Sequence, residues 1–415
     1  MILWLIPQLI LLLVWLPVAL AGLYLFVLTF AAILNPERKL IGGRFEGDRI
    51  PRSRFIILIP AHNEELLLGE VLRKLKSLSY PTTHYEVVVV ADNCQDQTAD
   101  VARSQGATAL IRHDLEKRGK GQALNWTILG PLQSWSRPWD ALVIMDADSV
   151  LNDDFLWFMD DLLQHGHQAL QGYYGVQNPG ESWRTALMTV ALAAFHFLRP
   201  LGRGKLGLPC GLKGNGMCFS RPLVERFGYP ATSVVEDIEL ALIYLKNGIG
   251  VKFAAGAHVF GQMATTTEQA DSQRKRWEGG RLPLLKDWAF PLWDEGLREH
   301  NFAKLDGAID LFIPPLTLLA LPTFAAWMLS LLVALIHVSL LSWITCLMWS
   351  TTLFSLVVYI LVGLVLVRAP LSVWLRLSAA PLFLFWKIAV YLRMALAGGK
   401  KTPEEWVRTS RHEMK

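Results

Sequence analysis

Met1 to Leu34 contain no charged side chain, and about 20 apolar residues in a row already suffice to cross the hydrocarbon core of a bilayer. At least one membrane-crossing helix is therefore expected at this end of the chain. Pro7 and Pro17 leave room for a tilted or kinked helix. A cleaved signal peptide is the competing reading, because Ala19-Leu20-Ala21 has the form of a cleavage site. Against it, no basic residue precedes the apolar run, and the run continues past that point. Arg38, Lys39, Arg44, Arg49, Arg52 and Arg54 follow, and positive-inside bias places the domain after them in the cytosol.

The opposite end repeats the pattern. Leu311 to Ile336 and Leu341 to Val367 are each long enough to span, and they read as a helical hairpin. Pro381 to Leu396 is shorter and carries Lys387 and Arg393, so an interfacial or re-entrant helix and a third span are both open there. With that segment on the membrane, the basic tail ends in the cytosol. The chain thus divides into a membrane segment (1–36), a cytosolic domain (50–282), an interfacial segment (283–310), further membrane segments (311–397) and a basic tail (398–415). The formal charge of +4 comes from basic residues beside the apolar runs, which suits lipid headgroups, and no nucleic-acid motif is present. Cys94, Cys210, Cys218 and Cys346 lack metal-ligand spacing and are too few for a disulfide framework, as in a reducing compartment.

Between these ends the sequence reads as an α/β domain with a mostly parallel sheet. Phe55–Pro60, Tyr85–Ala91, Ala107–Arg112 and Ala141–Met145 are short apolar runs of the kind found in strands covered on both faces. Leu68, Val71, Leu72 and Leu75 recur with helical spacing, as do Phe155, Phe158, Met159 and Leu162, and Ile238, Ala241, Leu242 and Leu245. In such sheets ligands bind beyond the carboxyl ends of the strands. The segments found there are Ala61-His62-Asn63-Glu64, Asp92-Asn93-Cys94-Gln95-Asp96 and Asp146-Ala147-Asp148. No glycine-rich turn follows the first strand, which excludes a dinucleotide-binding dehydrogenase.

Asp146 and Asp148 flank one residue after a strand, so both carboxylates can face a Mg²⁺ or Mn²⁺ ion that bridges a diphosphate; capping of the next helix is the plainer alternative. Asp92 can read a ribose or base, and Asp96 caps the helix after it. Lys120, between Gly119 and Gly121, can neutralise a diphosphate or belong to a solvated turn. Glu236 and Asp237 open a helix, where acidic residues offset the macrodipole and where Asp237 can stay ionised as a general base. Gln273, Arg276 and Trp277 share a helix face: Arg276 can pair with a diphosphate and the indole can stack on a sugar, or the segment is a basic juxtamembrane helix.

Taken in order, Pro60-Ala61-His62-Asn63-Glu64, Asp92 to Thr98, Lys120 to Asn125, Asp146-Ala147-Asp148, Glu236-Asp237 and Gln273 to Trp277 form a set that resembles the membrane-bound, processive-type glycosyltransferase family 2. Cellulose, chitin, hyaluronan and poly-N-acetylglucosamine synthases belong to that group. The resemblance covers Phe55 to Arg281 and the flanking membrane segments. It implies a GT-A-type nucleotide-sugar domain and inverting transfer from a nucleotide sugar, commonly a UDP-sugar, to a glycan or lipid-linked glycan acceptor at the bilayer. The setting it implies is a bacterial inner membrane, with the catalytic domain on the cytosolic side. Residue by residue, Ala61, Glu64, Asp92, Lys120, Asp146 and Arg276 match nucleotide-contacting positions, Asp148 the metal ligand and Asp237 the catalytic base. Gly214 and Asn215, within the loop Gly211 to Met217, match the acceptor floor, and Glu236, Gln273 and Trp277 belong to the acceptor side.

Overall fold

Four of the apolar runs form the strands expected of them: β1 (Phe55–Ala61), β2 (Tyr85–Asp92), β3 (Thr108–Arg112) and β4 (Ala141–Ile144). They pair in parallel, with Phe55 opposite both Tyr85 and Ala141, and Val88 opposite Thr108. Ala61, Asp92, Arg112 and Ile144 therefore end at one edge of the sheet. These coordinates are a computed structural model, and the structure describes residues 2–34, 44–231, 233, 235–263 and 281–380.

Four more strands, β5 (Ser149–Leu151), β6 (Ala169–Val176), β7 (Met217–Ser220) and β8 (Val251–Gly261), complete an eight-stranded sheet in the order β3-β2-β1-β4-β7-β6-β8-β5. The expectation of a mostly parallel sheet is corrected to a mixed one. β7 runs antiparallel to both β4 and β6, and β5 antiparallel to β8. A run buried on both faces has the same composition in either direction, so pattern alone does not reveal strand sense. The reversal has a consequence for the site. Met217 pairs with Ile144, which brings the loop Gly211–Gly216 to the edge where β4 ends and Asp146 follows.

One face of the sheet is covered by the helices Glu65–Leu75 and Phe155–Gln164, through Leu68, Val71 and Leu72 and through Phe155, Phe158 and Met159. The other face is covered by Leu124 and Ile128 of the helix Lys120–Leu129, and by Phe197, Leu198 and Leu201 of a long helix, Trp183–Lys205. The N-terminal helix Ile2–Leu34 joins the same core through Ala21, Leu25 and Ala32. Its backbone approaches so closely that a Cβ on Gly202 would lie 2.3 Å from the Leu28 carbonyl oxygen.

Among the described residues four helices are long and apolar enough to cross a membrane: Gln8–Leu34, Trp183–Lys205, Leu316–Ile336 and Leu340–Leu366. The most apolar stretch of Trp183–Lys205 is 78% buried within the protein, against 22%, 28% and 33% for the others, so its side chains pack the sheet against the other long apolar helices. The span expected from Leu311 begins instead at Leu316, because Pro314 and Pro315 cannot continue the preceding helix, Phe302–Phe312, in which Leu311 is buried. Before it, the helix Phe290–Arg298 exposes Phe290, Trp293 and Leu297, an apolar face suited to the interfacial role expected of this segment. The helix Glu236–Lys246 packs Leu242 and Leu245 against Leu292, Ala308 and Leu311. The segment Pro381 to Leu396 and the basic tail lie outside the described residues.

Candidate active site

Three strand ends and one loop converge at the carboxyl edge of the sheet. At the end of β1, Ala61 is buried, and the backbone turns at Asn63 with φ +54°. His62 Nδ1 donates to the Asp92 carbonyl at 2.7 Å, and the Gln95 N–H donates to Asn63 Oδ1 at 2.7 Å, so the first two loops are stitched together. Glu64 is buried, and its N–H donates to Thr98 Oγ1 at 2.8 Å. Asp96 accepts from the N–H groups of Thr98 and Glu65, at the starts of the helices Thr98–Ser104 and Glu65–Leu75. Asp96 thus bonds the first N–H of two helices, while the capping positions themselves are held by Gln97 and Glu64 rather than by Asp96 as expected.

Asp92 is held by a residue that sequence reasoning passed over. Arg112, the last residue of β3, donates to Asp92 Oδ1 at 2.6 Å from a buried position, and also to Asp114 at 2.9 Å and the Lys117 carbonyl at 2.6 Å. Asn93 adds a bond to the same Asp92 oxygen at 3.2 Å. Burial pushes the Asp92 carboxyl above its ordinary value, and Arg112 opposes that shift. The parallel register alone determines this contact, since Asp92 and Arg112 are paired neighbours across β2 and β3.

Lys120 follows Gly119, whose φ of +112° belongs to the region that favours glycine. Its ammonium donates to Asp146 Oδ1 at 2.6 Å and to the Gly214 carbonyl, tying the loop after β4 to the loop before β7. Burial pulls the Lys120 ammonium down, but Asp146 and Glu236 outweigh it and hold the group above its ordinary value.

Asn215 organises the acidic pair. It is fully buried, and its Oδ1 accepts from the Asp146 N–H at 3.2 Å. Its Nδ2 donates to Ser149 Oγ at 2.8 Å, and Ser149 donates in turn to Asp148 Oδ1 at 3.1 Å. Gln171, buried in β6, pins the same loop: its amide donates to the Asn215 carbonyl at 2.8 Å and accepts from the Lys213 N–H at 2.8 Å. A single glutamine inside the buried strand Ala169–Val176 was the available sign, because a buried amide demands partners. Among the described residues no cluster of three or more His, Cys, Asp or Glu side chains could hold a metal. His258 lies within β8 among Tyr173, Phe197 and Phe260, and burial lowers its pKa.

Glu236 and Asp237 begin the helix Glu236–Lys246, as expected. A Cβ placed on Gly214, whose φ is +76°, would lie 3.4 Å from Asp237 Oδ2. The loop tip therefore faces the Asp237 carboxylate across van der Waals distance. Burial raises the Asp237 pKa, and the N–H of Ile238 and the charge of Lys213 oppose it. Glu236 is pushed up to about 7 by burial and by the neighbouring Asp237. Asp146, Lys120, Gly214, Asn215, Glu236 and Asp237 are thus brought together, while Ala61, Glu64 and Asp92 lie at or just after the ends of the neighbouring strands β1 and β2 on the same edge. Gln273, Arg276 and Trp277 lie outside the described residues.

A family model described as "Glycosyltransferase like family 2" matches residues 51–280, more than half of the chain. The chain belongs to this glycosyltransferase family. The family 2 match spans all eight strands and both halves of the site. A probable glycosyltransferase, YdaM, of Bacillus subtilis is 26% identical over 267 residues, 62% of each chain. A β-monoglucosyldiacylglycerol synthase of Trichormus variabilis is 26% identical over 277 residues, 65% of this chain and 56% of that protein. The matched part thus spans less than two thirds of either relative. Among solved structures, the mannosyltransferase PcManGT of Pyrobaculum calidifontis, in complex with GDP-Man and Mn²⁺, is similar at 19% identity with a TM-score of 0.45, over 83% of this chain and 99% of that one.

Proposed function

We propose that the chain is an inverting glycosyltransferase that moves a sugar from a nucleotide donor, UDP-linked by the family resemblance, to a hydroxyl of a glycan or lipid-linked glycan acceptor at the membrane. The observation that carries this reading is the facing of Asp237 and Gly214 beside the Lys120–Asp146 pair, which sets a carboxylate base next to a cation suited to a diphosphate. Asp92 uses Oδ1 for Arg112 and Asn93, and Oδ2 is the atom assigned to the donor's ribose or base.

In the reaction, Asp237 accepts the proton of the acceptor hydroxyl as that oxygen attacks the anomeric carbon from the face opposite the leaving group. The new C–O bond forms as the bond from the anomeric carbon to the phosphate oxygen breaks, and the nucleoside diphosphate departs with the electron pair. Lys120, and Arg276 by its place in the motif, offset the charge that develops on the diphosphate. Asp146 and Asp148 would hold a Mg²⁺ or Mn²⁺ ion: they offer carboxylate oxygens on one loop, and Asp148 is oriented through Ser149 and Asn215. Such an ion would supply further electrostatic stabilisation of the departing diphosphate.

Arg44, Arg49, Arg52 and Arg54, which follow the first apolar helix, support a cytosolic position for the catalytic domain, with the bacterial inner membrane as the implied setting. A lipid acceptor draws support from the relative whose name makes a monoglucosyldiacylglycerol its product. The test is a panel of UDP- and GDP-sugars offered to the purified protein with membrane lipids, following nucleoside diphosphate release and the labelled product. Donor-dependent release with sugar in an extractable lipid or in a polymer is expected. A protein that binds donors yet transfers none of them would overturn the reading.

A further inference from the structure

The loop that faces Asp237 has little stiffness of its own. Gly211, Gly214 and Gly216 stand at φ +73°, +76° and +68°, in the region that favours glycine, and glycine loses the most freedom on folding. The shape of the loop must come from its anchors. Two of them are the Asn215 side chain toward Asp146 and Ser149 and the Lys120 ammonium on the Gly214 carbonyl. Both hold the loop from the proposed donor side. The third rises from the sheet beneath it.

Gln171 is fully buried, in a strand whose other residues are all buried as well. An amide in such a place costs free energy unless its hydrogen bonds are made. Here both ends of the amide are committed to main chain. Nε2 donates to the carbonyls of Gly172 and Asn215, each at 2.8 Å, and Oε1 accepts from the Lys213 N–H at 2.8 Å. The two loop contacts bracket Gly214. Gln171 also stands opposite Met217, where β6 and β7 part, and the Gly172 N–H then bonds the Gly216 carbonyl at 2.9 Å. The base is held by a different set of contacts, since its helix packs Leu242 and Leu245 against Leu292, Ala308 and Leu311. Removing the Gln171 amide therefore frees the loop to shift relative to Asp237 and leaves the anchorage of Asp237 intact.

We propose that Gln171 is a positioning residue for the acceptor: by fixing Gly214 opposite Asp237 it keeps the acceptor hydroxyl in line with the anomeric carbon, and so decides whether the sugar passes to that hydroxyl or to water. The proposal rests on the sugar-transfer reading of the same site. A misplacement of about 1 Å can cost about 10²-fold in a reaction between two held groups. Water needs no floor and is indifferent to such a shift. In the competing reaction a water oxygen bonds to the anomeric carbon and its proton passes to Asp237. The nucleoside diphosphate leaves with the electron pair of the broken bond, and free sugar is the product.

The ratio of free to transferred sugar tests this, measured on the full chain in nanodiscs of bacterial membrane lipid with radiolabelled UDP-glucose, UDP-N-acetylglucosamine and GDP-mannose as donors. In Gln171→Met, which keeps the length of the side chain and removes the amide, the ratio should rise by about tenfold or more with donor KM unchanged. Gln171→Asn keeps an amide of shorter reach and should shift the ratio less in the same direction, so the test survives poor folding of either variant. Gly202→Ala crowds the distant Leu28 carbonyl and should leave the ratio as it is. A ratio unchanged in the Gln171 variants, or raised as much in Gly202→Ala, would overturn the proposal. So would a donor KM that rises in step with the ratio, because Gln171 would then serve the donor. A wild-type chain that transfers from none of these donors would instead sink the sugar-transfer reading, and this proposal with it.

Discussion

On the proposed donor side of the site, Asp92 and Asp146 are each gripped by one cation, Arg112 and Lys120, at 2.6 Å. Across it, Asp237 makes no salt bridge among the described residues and stands at a helix N-terminus against the bare backbone of Gly214. The proposed donor carboxylates are fixed in direction before any ligand arrives, which suits groups proposed to bind the same nucleotide in every cycle. A carboxylate that must take a proton cannot be clamped in that way, because a close cation would depress its basicity. Burial is what keeps Asp237 basic, and the helix N–H groups keep it from losing its charge altogether. The two halves also differ in origin. The donor half is assembled from neighbouring parallel strands, and the acceptor half from a loop and helices that packing brings together.

Substitutions can break this contrast. Asp237→Asn should lower the transfer rate by about 10²- to 10⁴-fold, the usual contribution of a positioned general base, with UDP affinity unchanged by titration. Loss of donor affinity instead would place Asp237 in the donor half. Arg112→Met leaves Asp92 buried without its partner and should cost about 3–5 kcal/mol, read as an earlier chemical unfolding midpoint together with weaker UDP binding. Gly202→Ala forces a methyl group against the Leu28 carbonyl and should cost about 1–3 kcal/mol, seen as a lower thermal midpoint with donor binding retained. The smallest effect concerns pH. As the proposed base, Asp237 must be ionised to act, and its pKa is raised, so kcat/KM should fall as pH drops through a value above the ordinary carboxylate range of about 4. An acidic limb at or below that range would show that burial does not govern the base.

The donor half was largely legible in the sequence because its signals are local. A short buried strand followed by a polar turn recurs at Ala61, Asp92 and Asp146, and each turn lies where it was expected. Arg112 escaped notice because its partner is set by the register of β2 on β3, which no local pattern carries. The acceptor half was legible only at its helix start and its glycine loop. Trp183–Lys205 contacts the sheet on one side and the other long apolar helices on another, and Arg184, His196, Arg199 and Arg203 interrupt its apolar run, so the sequence marks it neither as a continuous apolar segment nor as a one-sided helix. The antiparallel sense of β7, which delivers Gly214 to Asp237, depends on where the chain re-enters the sheet. Pro314 and Pro315 did mark the break before the span, and the uninterrupted apolar run around them concealed it.

The central claim is a single displacement with Asp237 as the base, and the anomeric configuration of the product tests it most directly. With an α-linked UDP-sugar that supports transfer, proton NMR of the isolated product should show a β-linkage from the first turnover. An α-linked product, or a sugar found covalently attached to the protein during turnover, would contradict the account.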